Sequence, residues 1–101
     1  MVIDLTTTEE QLVIRLSGRF DFTTRGQFLS QVEDAVANAQ GEDIRVDLGQ
    51  VEYIDSSGLG MLLMLRDKAK RYAKGVVLGG AHDMVKDIIM TAQFDKLFTI
   101  R

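Results

Sequence analysis

Cysteine is absent from this chain of 101 residues, and histidine occurs once, as His82. The first absence excludes disulfides, thiolate metal sites and thiol catalysis; the second excludes paired-histidine metal ligation within one chain. No metal site and no cofactor is expected. No apolar stretch approaches the roughly 18 residues of a spanning helix, the nearest being Leu59 to Leu65. The opening Met-Val-Ile-Asp-Leu-Thr lacks the basic start and apolar stretch of a secretory signal. The expectation is a cytoplasmic protein without membrane insertion. Clustered positive charge is also missing, because the formal net charge is −3 and Lys and Arg are scattered, so nucleic acid is not an expected partner. Repeats, low-complexity segments and linker-like runs are absent too, which leaves elements joined by short connections.

What is present is the balance of a folded domain, 46% hydrophobic and 27% charged, on a length that holds one domain with one core. Residues 1–101 are therefore read as a single unit. Strand character covers Val2 to Thr6 and Gln11 to Ser17; in the second, Leu12, Ile14 and Leu16 alternate with Val13, Arg15 and Ser17. The polar Thr7 to Glu10 between them suggests a hairpin. Helical spacing at Phe28, Val32, Ala35, Val36 and Ala39 predicts a helix over about 24–40, with Thr24 and Gln27 as a capping box and Gly41 as the stop.

Ile44, Val46 and Leu48 alternate as the next strand, and Gly49 to Asp55 is read as a turn into a second helix from about Ser57 to Lys74, closed by Gly75. Val76 to Leu78 reads as a short buried strand. Asp83 is the expected N-cap of a third helix burying Met84, Val85, Ile88 and Ile89, before an apolar end at Phe94, Leu97, Phe98 and Ile100. The order β β α β α β α implies an α/β domain with a mixed sheet and right-handed crossovers, covered by three to four helices on at least one face.

The most informative junction runs from Val46 to Leu65, where a strand leads straight into an apolar helix through Asp55-Ser56-Ser57-Gly58-Leu59-Gly60. A serine at a helix start is most often a cap, and Ser56 has the chemistry to accept from the amide of Gly58 or Leu59. The two glycines argue for more, because each costs a helix up to ~1 kcal/mol relative to Ala. They are expected to keep the surface around Ser56 low enough for another protein's active site. A phosphate carried there, with ~1.5 to 2 negative charges, is favoured by the free amides and the helix dipole and repelled by Asp55. The reading is a binding switch, not an enzyme. Asp21 and Asp55 have no accompanying substrate pocket or cofactor motif to make them an acid–base pair. Gly79-Gly80 lacks Walker spacing.

These residues resemble the STAS domain, and within it the anti-sigma factor antagonists. Leu16 to Asp21, Leu-Ser-Gly-Arg-Phe-Asp, resembles the family's early Gly-x-(Leu/Phe)-Asp element, Asp47 to Gly60 its signature loop, and Phe94 to Ile100 its closing segment. The resemblance implies a STAS-like fold in one domain and phosphorylation at Ser56. The unphosphorylated form would bind an anti-sigma factor that is also a serine kinase with a histidine-kinase-like ATPase fold. A metal-dependent serine phosphatase would reset it. Asp21 matches an acidic position near the phosphorylated serine, and Asp55, Ser57, Gly58, Leu59, Gly60 and Met61 are the expected supporting or partner-contacting residues. The free protein is expected to be a monomer.

Two departures are visible: Arg19 stands where an acidic residue is frequent, and Ala92-Gln93 replaces a commonly glycine-containing stop. Met61 and Met64 are read chiefly as core, with an exposed docking patch as the alternative. His82 is placed in a loop, and the Lys68 to Lys74 charges on a solvated helix end. Two other functional readings stay open. One is a constitutive scaffold subunit of a transporter or signalling complex. The other is a phospho-aspartate receiver, which needs acids at the end of its first strand where this chain has only Asp4. The output pathway, among stress, sporulation, secretion and biofilm control, stays open as well.

Overall fold

The structure is a computed structural model that describes residues 1–101. Its elements follow the expected order and add a last short strand: β1 (Val2–Thr7), β2 (Leu12–Phe20), α1 (Arg25–Ala37), β3 (Asp43–Ile54), α2 (Ser56–Arg71), β4 (Gly75–Gly79), α3 (Asp83–Thr91) and β5 (Thr99–Ile100), with 3-10 turns at Phe22–Thr24 and Phe94–Lys96. The hairpin forms because the Thr8 hydroxyl oxygen accepts from the amides of Glu10 and Gln11 while the Thr8 amide donates to the Gln11 carbonyl. One five-stranded sheet results, in the order β1-β2-β3-β4-β5. Strand β1 is antiparallel to β2, and every later pairing is parallel.

Alternation along the strands decides where the core lies. Register puts Ile14 opposite Val46 and Val46 opposite Leu78, and these buried side chains form one cluster with Phe28 and Val32 of α1, Met61, Leu62 and Leu65 of α2, and Val85 and Ile89 of α3. All three helices therefore cover one face. The other face carries the alternate residues, with Arg15 opposite Asp47 and its Nε 3.1 Å from the carboxylate.

Several boundaries differ from the sequence reading, each for a local reason. The expected turn Gly49 to Asp55 is strand: β3 continues to Ile54 and takes up two extra residues against β2, between the pairs Arg15–Asp47 and Ser17–Gln50 and between Gly18–Val51 and Arg19–Tyr53. Helix α1 is shorter than 24–40, and Thr24 makes no side-chain cap; its hydroxyl donates to the Asp21 carbonyl and the residue is buried. Gly41 lies beyond the helix in a left-handed turn, where a Cβ would sit 1.9 Å from the Glu10 carbonyl oxygen.

Helix α2 ends at Arg71, Ala73 takes the left-handed conformation (φ 57°), and Gly75 opens β4. Asp83 does not cap α3. His82 occupies that position, and the Asp83 carboxylate lies 2.7 Å from His82 Nδ1. Met84 is exposed rather than core. After α3, Gln93 itself adopts a left-handed φ of 60°, so the chain makes its stop without glycine.

Candidate functional site

Because β2 and β3 are parallel and paired to their ends, Phe20 lies opposite Ile54, and the segments that follow, Asp21 to Thr24 and Asp55 onward, leave the sheet side by side. The start of α2 is pressed against this corner. A Cβ on the buried Gly58 would sit 2.4 Å from the Phe20 carbonyl oxygen and 2.7 Å from Ile54 Cγ1. Gly58 therefore serves close packing of helix on strand, not the low surface expected of it. Gly60 differs, since a Cβ there would meet nothing within 4 Å. It stands one turn beyond Ser56 on the same side of α2 and leaves the approach to Ser56 open.

The cap of α2 is Asp55, not Ser56. In extended conformation its Oδ1 accepts from the Gly58 amide at 2.9 Å and its carbonyl from the Leu59 amide at 3.0 Å. Ser56 is the first helical residue and is exposed. No hydrogen bond within the chain restrains its hydroxyl, because the carboxylate next door already performs the capping expected of it. The second oxygen of Asp55 reaches across to the other segment and accepts from the Phe22 amide at 3.4 Å.

Asp21 holds its own turn. Its Oδ1 accepts from the Thr23 hydroxyl at 2.6 Å and the Thr23 amide at 3.1 Å, and its Oδ2 lies 3.4 Å from Arg19 Nε. The Thr23 hydroxyl is the main reason that the Asp21 carboxyl is held below the ordinary value, with the Thr23 amide and Arg19 adding to it against some desolvation. Both Asp21 oxygens are thus engaged by Thr23 and Arg19, and it is Asp55 that links the two segments. Arg19 in turn lies over the Tyr53 ring, 4.1 Å from its centre.

Of the expected contact residues, Ser56 is exposed, Asp21, Asp55, Ser57, Leu59 and Gly60 are half-buried, and Gly58 is buried. Met61 is 0% exposed and belongs to the core, so it offers no surface to a partner. Met64, three residues on, is 41% exposed and lines a groove of about 350 Å³ between α1 and α2 with Leu29, Val32 and Leu65, where Lys68 Nζ meets Glu33 Oε1 at 2.9 Å. The residue that sequence reasoning missed is Phe22, 71% exposed beside Asp55. The available signal was a large apolar side chain among the polar residues Asp21, Thr23 and Thr24. No group of three or more acidic or histidine side chains is arranged to hold a metal ion, and no helix is long and apolar enough to cross a membrane.

The chain and its fold match known proteins. The chain is 35% identical over 91 residues to a STAS-domain containing protein of Pseudomonas aeruginosa, covering 90% of this chain and 88% of the relative. It is 38% identical over 52 residues to an anti-sigma F factor antagonist of Paenibacillus polymyxa, covering 52% of this chain and 44% of that protein. The fold matches the Bacillus anti-sigma factor antagonist SpoIIAA in its unphosphorylated form (TM-score 0.75, 22% identity, 99% of this chain and 87% of that one) and in its phosphorylated form (TM-score 0.74, 20% identity, 99% and 91%). The family model described as Mlab, STAS domain, matches residues 3–99. With a family match across nearly its whole length and a relative of this identity, the chain belongs to the STAS-domain family.

Proposed function

We propose that this protein is an anti-sigma factor antagonist whose binding is switched by phosphorylation of Ser56. The unphosphorylated form binds an anti-sigma factor that is also a serine kinase with a histidine-kinase-like ATPase fold, and the phosphorylated form releases it. The observation that carries the reading is Ser56 itself: exposed at the first position of α2, with its hydroxyl free because Asp55 has taken over the cap. The named role of the Paenibacillus relative supports the functional class.

In this reading the Ser56 oxygen attacks the γ-phosphorus of ATP held by the kinase, its proton passes to a base of the kinase, and ADP leaves. This chain contributes only the acceptor and its placement. The new group carries ~1.5 to 2 negative charges. The α2 N-terminus favours it by ~0.3 to 1 kcal/mol, while the adjacent Asp55 carboxylate opposes it. The two effects are of similar size, so the fold persists and the charge acts on the contact surface, where burying it against a partner is costly. A metal-dependent serine phosphatase would restore the hydroxyl.

The test is peptide mass spectrometry on the protein recovered from its native cells, followed by binding of Ser56→Ala and Ser56→Asp to the cognate kinase. Phosphate at Ser56, with binding retained in the alanine variant and lost in the aspartate variant, is expected. Equal binding of the two variants would overturn the switch. Protein that stays unmodified across growth conditions would favour a constitutive scaffold subunit of a transporter or signalling assembly.

A further inference from the structure

The ring of Phe22 is the most exposed large apolar side chain of the molecule, at 71%. Exposed apolar residues scattered over a surface need no explanation, but the backbone that carries this one is held in place. The 3-10 turn Phe22–Thr24 that carries it is capped by Asp21 through the Thr23 amide and hydroxyl, and is closed by the Thr24 amide donating to the Asp21 carbonyl at 3.0 Å. Its own amide donates to Asp55, the residue that caps the helix beginning at Ser56. One carboxylate thus fastens two things, the start of the serine helix through Oδ1 and the backbone of Phe22 through Oδ2.

There is no slack between these two attachments. Gly58 lies against the Phe20 carbonyl so closely that even a methyl group has no room, which joins the end of β2 rigidly to the first turn of α2. An exposed aromatic side chain on a fixed backbone next to Asp55 suits the centre of an interface, where aromatic residues are enriched and a backbone already in place lowers the ordering cost.

We infer that Phe22 is the apolar anchor by which the kinase partner grips this face, and that the Asp55 carboxylate couples its presentation to the phosphorylation state of Ser56. The inference rests on the proposed switch and names its contact. The partner supplies an apolar pocket that receives the ring. When Ser56 carries phosphate, the anion stands next to Asp55 and the two repel. The bond to the Phe22 amide, at 3.4 Å the longer of the two side-chain bonds that Asp55 accepts, is the first to yield. Release is then a loss of the anchor's support as well as a charge penalty.

The experiment measures phosphate transfer from radiolabelled ATP to the purified protein by clarified extract of the native cells, comparing wild type with Phe22→Ser, Phe22→Leu and Ser56→Ala. Thermal melts establish that each variant is folded. Phe22→Ser is expected to be labelled about tenfold more slowly or worse, the scale of a hot-spot truncation. Phe22→Leu should lie between it and wild type, and Ser56→Ala should take no label. Labelling of Phe22→Ser at the wild-type rate overturns the anchor while leaving the switch standing. Absence of label on wild type defeats the switch and the anchor together. If wild type self-associates in sedimentation, Phe22→Ser does not and their labelling is equal, the ring belongs to a contact between copies and the inference is wrong. The coupling has its own readout: the Phe22 amide should exchange faster with solvent once Ser56 is phosphorylated, and unchanged exchange refutes it.

Discussion

Two glycines lie two residues apart on α2, and the structure assigns opposite signs to the same substitution at each. At Gly58 a new Cβ would meet the Phe20 carbonyl oxygen at 2.4 Å and Ile54 Cγ1 at 2.7 Å. Reaching even 3.0 Å from the oxygen requires a shift of about 0.6 Å (3.0 − 2.4), and the obstacle is strand backbone rather than a flexible side chain. Overpacking of this kind costs ~1 to 3 kcal/mol, and a backbone obstacle belongs at the upper end. Replacing Gly by Ala in a helix returns up to ~1 kcal/mol, so Gly58→Ala should destabilise by about 2 kcal/mol. At Gly60 nothing stands within 4 Å of the added carbon, and only the propensity gain remains. Gly60→Ala should stabilise by ~0.5 to 1 kcal/mol.

On a domain of this length 1 kcal/mol moves the midpoint by roughly 4 °C. Thermal circular dichroism should therefore place Gly58→Ala about 8 °C below wild type and Gly60→Ala about 2 to 4 °C above it. Urea titration with an unchanged slope would show that the native state, not the denatured ensemble, is responsible. If Gly58→Ala melts at or above wild type, the close approach of α2 to the end of β2 is wrong, and with it the rigid link between Phe22 and the serine helix; if Gly60→Ala melts below wild type, the open space at Gly60 is wrong.

Further expectations follow from the same corner and from the core. Asp55→Ala removes the cap and should lower stability by ~0.5 to 2 kcal/mol in urea unfolding, whereas Ser56→Ala should change it by less than ~0.5 kcal/mol. Met61→Ala should cost ~2 to 5 kcal/mol because Met61 is fully buried. Met64→Ala, at a partly exposed position, should stay near ~0.5 kcal/mol; comparable losses in the two variants would contradict the orientation of α2. For His82, the Asp83 carboxylate first, and then the Gly49 carbonyl at 2.9 Å, raise the imidazole above its ordinary 6.5. The stabilisation is thus complete below 6.5, the unfolded value, and fades as pH rises through the higher folded value. Imidazole resonances should titrate above 6.5, and the melting difference between wild type and His82→Gln should shrink between about pH 6 and pH 8. A difference that grows with pH would refute the pairing.

Much of this molecule was legible in one dimension because local patterns carried it. The period-two alternation of Leu12, Ile14 and Leu16, the helical spacing of Phe28, Val32 and Val36, and the strand-to-helix junction at Asp55 and Ser56 each encode which face is apolar. From these came the element order, the hairpin, the mixed sheet and the place of Ser56 at the head of α2. The boundaries were less legible where tertiary contacts override local signals. Gly49 is a turn residue by habit, yet β3 runs through it because β2 supplies a parallel partner that accepts two extra residues.

Which of two neighbouring side chains faces the core was decided by assembly alone. Met61 and Met64 are the same residue type on the same helix, and only the placement of α2 over the sheet buries one and leaves the other at the edge of a groove. Ser56 and Asp55 were both chemically able to cap; the extended backbone at Asp55 settled it by aiming that carboxylate at the Gly58 amide. Gly58 and Gly60 were indistinguishable in sequence, and the end of β2 separates them. Phe22 gained its position from a bond that spans 33 residues. The amino-acid sequence by itself thus determined the fold class and the phosphate-acceptor candidate, since both rest on periodicity and a contiguous motif. Only the tertiary structure decided what surrounds that serine, because its neighbours come from a segment distant in the chain and are brought there by parallel strand pairing.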